Sequence, residues 1–280
     1  MKKLTADKLF DTSMLTPIPS IGDNNHHIYF RSINDFISLD TKIYRYMRLD
    51  HMMDMLLRSQ LYVSNRRYFT DIKDWNGEEK WIPQPNMLFR PVFIPSYRDK
   101  KWVREAEEKK NYAMRLCVLC WTLDELNNGS VDENFLMWKA YKSCDLMCRV
   151  GTTIDKFIHN IQPPCDVVIS DVSYGTNHSG AYPDRLTFNK SIYYSAEKEV
   201  RAAFLDTSSH LEVKIKDMDD FIESITLSPF LHPNIESMMM RMLKNSFPRY
   251  ESRLHQSKLM EYNNYKDNNT FKKFKPNPKK

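Results

Sequence analysis

Three charged residues stand two apart in the run YYSAEKEVRAAF: Glu197, Glu199 and Arg201. Their neighbours are aromatic, β-branched and small apolar residues, and on a strand every second side chain leaves the same face. Two carboxylates so placed repel, so either water screens them or a cation answers them. Such a pair has three uses in chemistry: moving a proton, stabilising a developing positive charge, or holding Mg²⁺. Two further positions join them, Arg45 in IYRYM and Thr122 at the end of CVLCWT. Taken singly, each has a plain structural reading. An arginine on a first strand is ordinarily a surface charge, and a terminal threonine ordinarily bonds a turn.

The elements that must position these residues follow from periodicity. Ile43–Met47 alternates like a strand, and Asp50 is placed to cap a helix whose Met52, Met53, Leu56 and Leu57 form one stripe. Extended structure resumes at Leu61–Val63. Met114–Thr122 reads as a buried strand, followed by a short helix over Leu136–Tyr141 and strands at Leu146–Val150 and Val167–Tyr174. After the charged run come strands at Glu212–Ile215 and Ile225–Ser228, then a helix over Pro233–Leu243 with proline in its first turn. Arg253–Tyr262 is read as a last strand, and Ile33–Leu39 as a short early helix. The class expected is α+β, a mixed β-sheet core with peripheral helices.

In outline, residues 1–40 form a polar lead-in and 41–261 a single α+β domain. An irregular, proline-spaced excursion with a charged helix near Tyr97–Asn111 is inserted at about 65–111. Residues 262–280 (YNNYKDNNTFKKFKPNPKK) hold six lysines against one aspartate and account for the whole net charge of +5. This tail is polar and aperiodic, hence expected to be disordered and at most a weak, salt-sensitive contact for polyanions. The body that remains is neutral and makes no electrostatic case for nucleic acid.

Composition excludes several functions. Only six glycines are present, and neither G-x-x-x-x-G-K-[ST] nor G-x-G-x-x-G occurs, so a nucleotide would have to be held by side chains and strand ends. There is no run of about 18 apolar residues for a membrane span. Five cysteines without an export signal point to reduced thiols and a cytoplasmic setting. Cys117-x-x-Cys120 with Cys144-x-x-x-Cys148 imitates a four-cysteine zinc site, but the first pair lies in an apolar β-like run with no turn residue. H-E-x-x-H and G-x-S-x-G are absent and the histidines show no ligand spacing, so no metal is expected.

The ordered set Tyr44-Arg45-Tyr46, Leu61-Tyr62-Val63-Ser64, Cys120-Trp121-Thr122, Met137-Trp138-Lys139-Ala140-Tyr141 and Glu197-Lys198-Glu199-Val200-Arg201 resembles the bacterial domain-of-unknown-function family 2971 over residues 43–230. Two pieces depart from that pattern. The family's N-D-P turn is here Phe69-Thr70-Asp71, and its glycine-containing strand is here SCDLMCRV. In layout the chain is also similar to ADP-ribosyltransferases of the Arg–Ser–Glu class, which implies a split sheet and NAD as substrate. Breaking the nicotinamide–ribose bond develops an oxocarbenium ion that a carboxylate stabilises. By that resemblance Glu199 takes this role and Glu197 activates the acceptor. Arg45 pairs with the NAD diphosphate, Thr122 holds the nicotinamide end, and Tyr193 and Tyr194 meet the acceptor. The acceptor would be an unknown macromolecule, protein or nucleic acid, and the setting that of a toxin or phage-defence effector. Two other readings stand beside it: a non-catalytic interaction module, and a metal-dependent nuclease.

Overall fold

The computed structural model describes residues 6–10, 15–18, 26–34, 37–68, 104, 108–109, 111–123, 126–127, 130–131, 133–142, 144, 146–175 and 186–259. In chain order these form α1 (Ala6–Leu9), β1 (Thr16–Ile18), β2 (Ile28–Arg31), β3 (Lys42–Arg48), α2 (Leu49–Arg58) and β4 (Gln60–Asn65). Next come β5 (Cys117–Thr122), β6 (Leu126–Asn127), β7 (Ser130–Val131), α3 (Phe135–Ala140), β8 (Met147–Thr153) and α4 (Ile154–Asn160). They are followed by β9 (Ile161–Gln162), β10 (Val167–Asp171), β11 (Ser173–Tyr174), β12 (Asn189–Lys190), β13 (Glu199–Phe204) and β14 (His210–Ile215). The last are α5 (Met218–Phe221), β15 (Ser224–Leu227), α6 (Pro233–Ser246) and β16 (Leu254–His255). Helices beside sheet that mixes parallel and antiparallel pairing make this an α+β protein.

The chain divides into two compact units, each assembled from three separate stretches. Unit 1 takes residues 1–39, 60–121 and 161–215; unit 2 takes 40–59, 122–160 and 216–280.

In unit 1 the strands run β1-β2-β10-β13-β5, with β4 pairing β5, β14 pairing β4 and β9 pairing β14. The β2–β10 pair is parallel and β10–β13 antiparallel, in a register that sets Arg31, Ser170 and Arg201 side by side. Because alternate residues share a face, that row continues into Tyr29, Val168 and Ala203. The face is therefore apolar at one end and charged at the other. Leu9 and Phe10 of the first helical turn, Phe188 and Tyr112 pack on the apolar end. Phe188 marks the boundary, its ring centroid 4.9 Å from the Arg31 guanidinium carbon.

In unit 2, β3, β8 and β15 are antiparallel neighbours, and β16 joins β15 in parallel. Gly151 of β8 lies opposite both Tyr44 and Ser224. A Cβ there would stand 2.9 Å from the Tyr44 ring and collide with Ser224 Oγ. Gly151→Ala should therefore cost about 1–3 kcal/mol, as overpacking of a close contact does. Urea unfolding reads this directly, and an unchanged midpoint would show that the ring gives way freely.

Several local expectations need correcting. The described residues of the Ile33–Leu39 range, 33–34 and 37–39, are not helical; the Asp171 carboxylate takes the amides of Ile33 and Asn34. In α2 the buried residues are Leu49, Met52, Met55 and Leu56, whereas Leu57 is 71% exposed. Asp50 does not cap that helix; it lies one residue inside, paired with Arg48. The last strand shrinks to β16, preceded by the 3-10 turn Pro248–Arg253. Most of the 65–111 excursion and all of the 262–280 tail lie outside the described residues. Arg104, Glu108, Lys109 and Asn111–Ala113 are helical. Among the described residues no helix is long and apolar enough to cross a membrane.

Candidate functional site

The charged end of the unit 1 sheet holds the acidic pair, but not as a strand ladder. Strand β13 begins at Glu199, while Glu197 ends the 3-10 helix Ile192–Glu197. Between them Lys198 takes left-handed backbone angles, φ 42°. That turn breaks the alternation, so only Glu199 and Arg201 share a strand face.

A cation does answer the carboxylates, and most directly it is Lys190. Its ammonium donates to Glu197 Oε2 at 2.7 Å and to Glu199 Oε2 at 3.0 Å. Arg201 closes on Glu199 from the other side, Nε to Oε1 at 2.6 Å and Nη2 to Oε2 at 3.1 Å. Forked pairing of this kind is among the stronger hydrogen-bonded contacts. Two positive and two negative side chains thus form a neutral quartet. Arg201 also donates from Nη1 to the Thr187 carbonyl, and Arg66 donates to the neighbouring Leu186 carbonyl. Two buried guanidinium groups therefore hold the short helical turn that leads into Lys190.

Burial governs the electrostatics. Glu199 is 2% and Arg201 0% exposed, and the Lys190 and Glu197 side chains are 7% and 16% exposed. Burial pushes the Glu199 carboxyl up, but the charges of Arg201 and Lys190, with hydrogen bonds from Arg201 and the Cys120 thiol, outweigh it. The group is held well below the usual carboxylate range. The same burial, with Glu199 nearby, pushes the Cys120 thiol and the Tyr174 phenol up. Tyr174 meanwhile accepts the Glu199 backbone N–H at its hydroxyl, 2.8 Å away. Both stay neutral at ordinary pH, so the fixed negative charge at this strand end is that of Glu199.

The quartet also staples a turn. Lys190 and Glu197 flank residues 191–196, and their ion pair closes the segment across its base. The Lys190 ammonium lies 4.9 Å from the Tyr194 ring centroid. At the tip Ile192 is 57% and Tyr193 86% exposed. Tyr194 therefore braces the turn while Tyr193 points outward.

Arg45 and Thr122 belong to unit 2. Thr122 lies opposite Tyr44, and Arg45 opposite Val150. Successive residues of β3 leave opposite faces, so the Arg45 and Thr122 side chains point to different sides of that sheet. The Thr122 hydroxyl donates to the Leu123 carbonyl at 3.4 Å. The structure thus joins Glu197 and Glu199 through a shared lysine, and separates Arg45 from Thr122.

No family model, curated protein or solved structure matches this chain. Its function is therefore argued from the quartet and its surroundings. Sequence reasoning missed Lys190, Tyr174 and Cys120 as members of the site. Lys190 stands in FNKS with no periodic link to Glu199, and it arrives through the two-residue parallel pairing of β11 with β12. Cys120 is read from the sequence as a small buried hydrophobe, and its i,i+3 partner Cys117 leaves the other face to meet the Ser208 carbonyl. Among the described residues no cluster of His, Cys, Asp or Glu is arranged to hold a metal ion.

Proposed function

We propose that this protein is a binding module in which the charge quartet anchors a recognition turn. The observation that carries this reading is the engagement of Glu199. At 2% exposure, with both oxygens held by Arg201 and Lys190, its carboxylate is committed to structure. What the quartet holds up is Tyr193, open to solvent on a stapled turn. A rigid aromatic side chain suits the centre of a protein interface, where tyrosine is enriched among the residues that dominate binding.

A second reading, ADP-ribosyl transfer from NAD, is favoured by one feature: Glu199 is kept ionised beside Glu197. For that chemistry Lys190 must withdraw, so that the carboxylate faces the ribose as nicotinamide leaves and water or an acceptor bonds the anomeric carbon. One assay separates the two. Purified protein is incubated with NAD and nicotinamide is followed by chromatography, with Glu197→Gln and Glu199→Gln alongside. The binding-module reading expects no release above the Glu199→Gln background. Release by the native protein that survives Glu197→Gln and disappears in a Glu199→Gln variant shown by circular dichroism to be folded would sink it and support NAD cleavage at Glu199.

A further inference from the structure

Unit 2 leaves part of two helices uncovered. On α3, Phe135 is 42% and Leu136 60% exposed; on α6, Ile235 is 41% and Met238 48% exposed. Ile235, Met238 and the half-buried Met242 recur at helical spacing and so lie along one stripe of α6. Phe230 links the two helices. Its amide donates to the Ser228 hydroxyl at 3.2 Å, in the turn that leads to Pro233, and its ring meets Phe135 edge-on at 5.8 Å. Beneath these rings Trp138, Met137, Tyr46 and Met147 form a buried cluster on which Phe230 packs. Apolar residues grouped in this way mark an interaction surface, and the methionines let it adapt to what covers it.

Charge on the two helices is segregated. They carry Lys139, Arg241 and Lys244 at the surface, while their one acid, Glu236, is 4% exposed. Glu251 answers Lys244 at 3.0 Å. Among the described residues no acid answers Lys139 or Arg241. The Lys139 ammonium instead lies over the rings of Phe135 and Phe230, 5.5 and 5.7 Å from their centroids.

We propose that this face docks an acidic amphipathic helix of a partner protein. The apolar side of such a helix covers Leu136, Ile235 and Met238, with Phe135 and Phe230 as rigid anchors. Its flanking carboxylates answer Lys139 and Arg241. Aliphatic and thioether side chains reward the burial of apolar groups rather than the stacking of bases, so single-stranded nucleic acid fits less well. A second copy of the chain, meeting this face with its own, would bring positive charge against positive charge. The surface lies wholly within unit 2 and is independent of the turn that carries Tyr193.

The test is fluorescence anisotropy on the full chain with a labelled helical peptide of about 18 residues, leucine at i, i+3, i+4 and i+7 and alanine and glutamate elsewhere. Beside it run the same pattern with lysine for glutamate, the glutamate peptide in scrambled order, and oligo-dT. The glutamate peptide should bind at least about fivefold more tightly than the lysine one, for which two surface ion pairs become like-charge contacts. It should bind at least about tenfold more tightly than the scrambled one, which keeps the charge but has no apolar side. Leu136→Gln with Met238→Gln, both at exposed positions, should weaken the glutamate peptide at least about fivefold. Lys139→Glu with Arg241→Glu should reverse the preference and make the lysine peptide the tighter ligand. Circular dichroism establishes that each variant is folded. No binding of the glutamate peptide, equal binding of the scrambled one, a Leu136 and Met238 pair that binds normally, or a charge swap without effect would each overturn the proposal. Oligo-dT binding that these substitutions weaken, with the peptide unaffected, would assign the face to nucleic acid instead. Self-association in sedimentation velocity that Leu136→Gln with Met238→Gln abolishes would assign it to a second copy.

Discussion

Glu199→Gln should lower the unfolding free energy by about 3–5 kcal/mol, the usual cost of removing one partner from a buried ion pair. The substitution keeps size and polarity but leaves Arg201, at 0% exposure, without its opposing charge. Lys190 retains Glu197, so part of the quartet survives. Glu197→Gln removes a more accessible carboxylate and should cost much less. Equal losses from the two variants would mean that the quartet acts as a diffuse charge ladder rather than through Glu199. The pH dependence carries the same signature. Burial raises the Glu199 carboxyl but the Arg201 and Lys190 charges more than reverse this, so its folded value lies below the unfolded one, 4.5. An acid depressed by folding contributes stability that is full above the unfolded value and lost as pH falls towards the folded one. The gap between native protein and Glu199→Gln should therefore be constant at neutral pH and close below about pH 4.5. Equilibrium unfolding in urea at several pH values measures both predictions.

Truncation should show which C-terminal residues contribute to stability. Deleting Asn263–Lys280 should leave thermal melting essentially unchanged, whereas deleting Ser257–Lys280 should cost about 2–4 kcal/mol. The difference lies in Glu133, which is 9% exposed and accepts from Trp138 Nε1, Ser257 Oγ and the Lys258 amide. Removing the latter two donors leaves a buried carboxylate under-bonded, and removing Leu259 uncovers part of the Trp138 cluster. If both truncated proteins melt alike, that anchor contributes nothing.

The legible parts of this fold are those whose signal is local. Alternation in IYRYM and the apolar run CVLCWT become β3 and β5, and Pro233 opens α6 where proline is tolerated. Expectations that depend on distant partners fail. The Ile33–Leu39 pattern is compatible with a helix, but Asp171, well over a hundred residues away in sequence, takes the amides that would begin it. Glu197 reads as strand because its neighbours are aromatic and apolar. The break comes from Lys198 in a left-handed conformation, which sequence announces for glycine or asparagine but not for lysine. The candidate site is half legible. Two carboxylates demand a cation, and Arg201 is visible beside them, but nothing local singles out Lys190. The opposite facing of Arg45 and Thr122 depends on strand register, which is fixed only when β3 meets its neighbours.

The interleaved make-up of the units has a consequence for synthesis on the ribosome. Strand β3 finds its partner β8 only after about 100 further residues have been added, about 5–20 s at ordinary elongation rates. During that interval the aromatic, β-prone segment IYRYM lacks its main edge partner: β5 meets it only at Tyr44 and Thr122, and residues 60–121 belong to the other unit. Nascent chains of this protein thus pass through a window in which β3 is open to misassociation. A chaperone that shields this segment until Met147–Thr153 emerges would raise the yield of folded protein without touching the stability of the finished fold.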